Sequence, residues 1–168
     1  MKESRNIAFG GMLAALSVVI LLLGASSGIG TYAAPMMAAP LLAPVGRKMG
    51  RRWHILLWLT VSLLGFLLIV DLEQNLMYLC LFGPYPILRP WFESRNQPQR
   101  TLFKLLWFNA VTAALEWAVM TLLIPEVSSL WMNLLLLGLG NVVFFFYDRI
   151  IPRLEGMILH YLGRALKL

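Results

Sequence analysis

The chain has 168 residues, 60% of them hydrophobic and 13% charged, against about 45–50% and about 25% in an ordinary soluble domain. A soluble domain this short has too little interior to hide that much apolar surface, so disorder, a collagen-like chain, a disulfide scaffold and a polar enzyme domain are all excluded. The 14 Lys and Arg outnumber the 8 Asp and Glu for a formal charge of +6. They are parcelled between apolar runs, which reads as membrane topology and not as a nucleic-acid surface. Cys80 is the single cysteine and permits no internal disulfide.

A membrane-spanning helix needs about 20 mostly apolar residues. In chain order the runs fall at 7–23, 32–46, 53–70, 74–88, 105–124 and 127–147. The second and fourth are short and rich in proline: Pro35, Pro40 and Pro44 in one, Pro84 and Pro86 in the other. Proline removes a backbone donor and kinks a helix, so both are expected to be bent or partly unwound. The expected fold is all-α, one polytopic bundle of six transmembrane helices over residues 1–147.

Charge provides an independent test of that count, because basic residues stay on the cytoplasmic side of short loops. With six spans and the N-terminus inside, Lys2, Arg5, Arg47, Lys48, Arg51, Arg52, Arg89, Arg95, Arg100, Lys104, Arg149, Arg153, Arg164 and Lys167 all fall inside. The opposite loops hold Asp71, Glu73 and Glu126 and no Lys or Arg. Omitting either short span breaks this segregation. The expected location is the cell membrane, multi-pass, with both termini cytoplasmic. A cleaved signal peptide at the first run is disfavoured, since its removal leaves five spans and inverts the topology. Residues 148–168 read as a basic amphipathic helix lying on the inner membrane surface, the lipid bilayer being its partner.

Catalytic signatures are missing. His54 and His160 have no second ligand at metal spacing, and Gly24–Gly30 lacks the Gly-Lys-Ser/Thr ending of a phosphate loop. Asp148, at a membrane exit, reads as a solvated charge. The expectation is a non-enzyme with no cofactor, no metal and no motor of its own. Glu116 is the one acidic residue well inside a span, a placement that costs about 2.5–3.5 kcal/mol for a comparable Asp. Asn109 and Thr112 share its helical face. Approached from outside, the fourth span opens with Gln74, Asn75 and Tyr78, and the sixth with Trp131 and Asn133. Glu116, Asn75, Tyr78, Asn133, Tyr32 and Trp117 are therefore the candidate solute-binding residues of a pocket under the outer surface. The glycine- and serine-rich loop 24–32 would act as its lid, with Thr31 and Tyr32 as contact groups. Ala8, Gly11 and Ala15 form a small-residue stripe on the first span, with Gly10 and Ala14 beside it, a pattern that lets helices approach closely.

The basic N-terminus running into Ile7-Ala8-Phe9-Gly10-Gly11-Met12-Leu13-Ala14-Ala15-Leu16 resembles the start of the substrate-binding S components of energy-coupling factor (ECF) transporters. Topological likeness covers the whole chain, motif likeness the first span alone, and glycine stands where that motif's first alanine is usual. The resemblance implies a six-span bacterial membrane subunit that captures a vitamin-like solute or a metal ion from outside. It also implies a transmembrane T component, contacted through Ala8, Gly11 and Ala15, and ATPase subunits that supply energy. No vitamin-specific signature is present. A rival resemblance is to the MreD-like cell-shape scaffolds, similar in length and helix count but without a small-molecule ligand. A proton-coupled carrier built on Glu116 lacks membrane-embedded partners for a proton relay.

Overall fold

A computed structural model describes residues 2–27, 30–122 and 130–165, and these are helical with no strand among them. Helix α1 covers Lys2–Ser27 and α2 Ala33–Ala38; a 3-10 turn over Ala39–Leu42 leads into α3 at Ala43–Met49, and α4 covers Arg51–Leu68. Helix α5, Leu72–Leu76, passes into a π-helical turn over Met77–Phe82. Then come α6 at Tyr85–Glu93, α7 at Gln99–Leu122 and α8 at Leu130–Ala165.

Local chemistry sets these limits. At the end of α1, Ser26 and Ser27 donate their hydroxyls back to Leu23 O and Gly24 O at 2.9 and 2.8 Å, satisfying carbonyls that a helix end leaves unpaired. Pro40 and Pro44 each occupy the first turn of a new segment, where the missing N–H costs nothing. The second apolar run is thus three helical pieces in direct succession, a 3-10 turn standing between two short α-helices. Gly50, at φ 94°, turns the chain between α3 and α4, a backbone region that glycine enters without strain. Asp71 caps α5 by accepting Gln74 N–H at 3.0 Å.

The described residues pack as two compact units, 1–88 with 151–168 and 89–150. In the first unit α1 buries Phe9, Leu13, Ser17 and Leu21, four residues at four-residue spacing. Ser17 Oγ lies 2.9 Å from Leu13 O and 3.1 Å from Ala38 O, and so ties α1 to the end of α2. Helix α4 turns His54, Val61, Ser62 and Gly65 inward. Arg47 pairs with the buried Glu155 at 2.6 Å. In the second unit α7 and α8 meet through stacked Phe108 and Phe144 rings, 4.6 Å between centroids. One turn away, Asn109 and Asn141 exchange amide hydrogen bonds at 2.9 and 2.8 Å.

The expected basic tail helix proves to be the continuation of α8, which runs 36 residues through Pro152 without a break. At 1.5 Å per residue this is about 54 Å, well beyond a hydrocarbon core of about 30 Å. Within α8, Ile151 and Glu155 are buried, while Ile150, Met157 and Tyr161 are exposed.

Two helices among the described residues are long and apolar enough to cross a membrane, Ser4–Ser27 at mean hydropathy 2.5 and Arg51–Leu68 at 1.2. Their outward faces are apolar: Ile7, Leu16, Val19 and Leu23 on α1, and Leu56, Leu59, Leu63 and Leu67 on α4 are all exposed. Meanwhile Ser17, His54, Ser62, Gln74 and Asn75 are buried. A soluble protein rarely exposes apolar patches of this extent. Polar groups inside and leucine outside point to a membrane-associated protein.

Candidate functional site

Within the first unit, polar side chains gather where α1 ends and α5 begins. Thr31 Oγ1 donates to Asp71 Oδ2 at 2.9 Å, and Tyr32 O–H donates to Glu73 Oε1. The short stretch after α1 is thus fastened to the first turn of α5 by two side-chain bonds. Asp71 serves twice, with Oδ1 capping the helix and Oδ2 holding Thr31. Tyr32 keeps 54% of its surface exposed, whereas Gln74 has none.

Gln74 Nε2 donates to Leu21 O at 2.7 Å, a carbonyl near the end of α1. That bond fixes which way the amide points, because exchanging its N and O would set two oxygens face to face. Its Oε1 is buried without a hydrogen-bond partner in the protein. One turn further, Tyr78 is 1% exposed and its hydroxyl is also buried without a protein partner. Residues four apart share one helix face. Asn75 points elsewhere: its Nδ2 donates to Ile69 O at 3.0 Å, and its Oδ1 lies against Gly65, where an added Cβ would come within 2.8 Å.

Tyr78 lies in the first turn of the π-helical segment, with Gly83 N–H donating to Tyr78 O at 2.8 Å. A π-turn widens a helix and re-aims the side chains around it, often at a functional site. Gly83 admits the Trp58 ring: a Cβ there would sit 2.4 Å from Trp58 Nε1, which is buried and unpartnered. Trp58 thus packs against Gly83 with an unspent donor.

Of the six candidate solute-binding residues, Tyr32, Asn75 and Tyr78 belong to the first unit, and Gln74 joins them as the most deeply buried. Glu116 and Trp117 belong to the second unit, Glu116 half-buried and Trp117 71% exposed on α7. Asn133 lies on α8, and its side chain is outside the described residues. Asn109, which was read as sharing the Glu116 face, is paired with Asn141. Ala8, Gly11 and Ala15 are all on the exposed side of α1, while Gly10 and Ala14 are buried.

A charged cluster in the second unit was missed by the sequence reading. Lys104, 7% exposed, donates to Glu93 and, at 2.6 Å, to Asp148 Oδ2. Arg89 Nε donates to Asp148 Oδ1 at 2.9 Å, and Arg100 donates to Glu93 Oε2 at 2.7 Å. Asp148 is therefore no solvated charge but a shared acceptor between α6 and α7. Burial raises the Glu93 pKa, yet the Lys104 hydrogen bond and the charges of Lys104, Arg89 and Arg100 outweigh it and hold the carboxyl below its usual range. Arg89 and Glu93 at four-residue spacing were the visible signal, and Asp148 is 44 residues from Lys104.

No family model, curated protein or solved structure matches the chain.

Proposed function

We propose that this chain is the membrane-embedded solute-capture subunit of an uptake system energised by other proteins. The observation that carries the reading is the pair of buried, unpartnered groups, Gln74 Oε1 and Tyr78 O–H, next to a start of α5 to which Thr31 and Tyr32 are tied. Leaving a buried polar group unsatisfied costs about 1–3 kcal/mol. Within a bilayer, irregular backbone at such a place is tolerated where it lines a cavity or is covered by protein. A solute that supplies the missing bonds recovers that cost on binding, and in this reading the tied loop covers it.

In this reading the chain crosses the cell membrane six times with both termini in the cytoplasm, which accounts for all 14 basic residues lying on one side. Reporters fused after Leu168 or inserted at Arg95 should register as cytoplasmic, and one beside Glu126 as external. A cytoplasmic signal at Glu126 would remove the six-span arrangement. The stripe of Ala8, Gly11 and Ala15 faces outward, and a Cβ added at Gly11 meets nothing within 4 Å. That open face suits a transmembrane T component, with ATPase subunits behind it.

Native mass spectrometry of the full chain purified in mild detergent tests capture directly. We expect a retained small molecule that leaves on unfolding. A protein that is folded, carries nothing and is not stabilised by any small-molecule extract would instead be a scaffold of the MreD-like kind.

A further inference from the structure

We infer that the solute class is uncharged, with at least one hydrogen-bond donor and one acceptor, such as an amide, a lactam or a hydroxylated ring. This inference rests on the capture reading. Gln74 sets the first requirement. Its Nε2 is committed to Leu21 O and its free oxygen can only accept, so the solute has to bring an N–H or O–H. Tyr78 O–H and Trp58 Nε1 set the second. Both are buried and unpartnered, Tyr78 on the π-turn and Trp58 on α4 with its indole against Gly83 at the end of that turn, and the indole can only donate, so the solute has to bring an acceptor.

Charge sets the third requirement. There is no Lys or Arg between Arg5 and Arg47, or between Arg52 and Arg89. A carboxylate or phosphate held beside Gln74 would have no countercharge there. It would also lie near Asp71 and Glu73, the residues that fasten the covering loop. An unpaired ion away from water is far costlier than a neutral polar group. A cation fares little better. Asp71 and Glu73 keep their negative charges, but both are only half-buried at the start of α5, whereas Gln74 and Tyr78 are closed off from solvent, so neither carboxylate stands among the buried groups left unpartnered. The buried carboxylate of this unit, Glu155, is paired with Arg47. Apart from His54 Nε2, whose ring lies against Gly46 near the start of α4, the buried groups of this unit left without a protein partner among the described residues are one amide oxygen, one phenol and one indole, all neutral.

The probes are three pools of cellular small molecules separated by ion exchange at neutral pH: uncharged, cationic and anionic. Each is added to the full chain in lipid nanodiscs and the thermal unfolding midpoint is read. The uncharged pool should raise the midpoint of the wild type. Tyr78→Phe removes an oxygen without a partner, so its midpoint without additions should equal or exceed that of the wild type. The same variant should need about tenfold more of the uncharged pool for the same rise, the scale of one lost hydrogen bond. Gln74→Leu should lose the response altogether. Should that variant fail to fold, Tyr78→Phe and Trp58→Phe still decide. Stabilisation by the anionic or cationic pool alone would overturn the solute class and leave solute capture standing. An undiminished response in both Tyr78→Phe and Trp58→Phe would overturn the assignment of these groups. No response to any pool, together with no retained molecule, would remove the capture reading and this inference with it.

Discussion

Lys104→Met is expected to lower the unfolding free energy by about 3 kcal/mol, the low end of the range for breaking a buried ion pair by removing one partner. Its ammonium is held by Glu93 and Asp148 with little exposure, and methionine fills the same space while leaving both carboxylates short of a donor. The loss stays at the low end because Arg89 still reaches both carboxylates and Arg100 still reaches Glu93. Arg100→Gln, whose side chain is 36% exposed, should cost under about 1 kcal/mol. Denaturant unfolding in detergent gives these differences. Adding Asp148→Asn to Lys104→Met should recover part of the loss, because the neutral amide no longer needs the ammonium. If Lys104→Met unfolds with the wild type, the cluster contributes nothing to stability.

The same assay run against pH has a defined sign. The Glu93 carboxyl is held below its ordinary range when folded, so the folded state binds its proton less readily than the unfolded chain. Its stabilising contribution is complete above the ordinary carboxylate range and is lost as the pH falls through the depressed folded value. Glu93→Gln should be less stable at neutral pH and should lose this part of the acid dependence. A Glu93→Gln profile parallel to the wild type at acid pH would assign the acid sensitivity to other groups.

What the sequence could disclose followed from effects that act within one stretch of chain. Apolar runs placed the helices, and Pro40 and Pro44 placed the restarts between α2 and α3. Thr31, Tyr32, Gln74, Asn75 and Tyr78 stood out as polar residues at the edges of apolar runs. Contacts that depend on how helices rotate and converge were not legible. The two stripes on α1, Ala8-Gly11-Ala15 and Gly10-Ala14, differ by a turn of about 100° about the helix axis. Packing against other helices decides which of them is buried. Asp148 looked solvated because its partners, Arg89 and Lys104, are far away in the chain. Pro152 lies inside α8, and a helix can continue through proline when neighbouring groups take up the freed carbonyl. The π-turn at Met77–Phe82 has no residue pattern that marks it in advance.

Gly24→Ala and Gly30→Ala should be the most damaging of the small substitutions, each costing about 3 kcal/mol, the upper end for overfilling a packed site. A Cβ at Gly24 would lie 2.2 Å from Ala34 Cβ, and one at Gly30 would lie 2.3 Å from Gly24 Cα and 2.5 Å from Gly24 O. These obstacles are backbone and Cβ atoms, so no rotamer change relieves them. The end of α1 has to separate from the start of α2. Ala34 N–H donates to Gly30 O at 2.8 Å, so this separation also disturbs the first turn of α2. It would shift Leu21 O away from Gln74 and draw Thr31 and Tyr32 off Asp71 and Glu73. Thermal unfolding in nanodiscs should therefore show a lowered midpoint and, for whatever Gly24→Ala protein remains folded, no rise with the uncharged pool. Gly11→Ala is the control, since a methyl group there meets open space. Alanine's better helix propensity should leave it unchanged or up to about 1 kcal/mol more stable. Equal midpoints for Gly24→Ala and Gly11→Ala would mean that the close crossing of α1 and α2 does not hold the loop in place, and the cover proposed over Gln74 would lose its foundation.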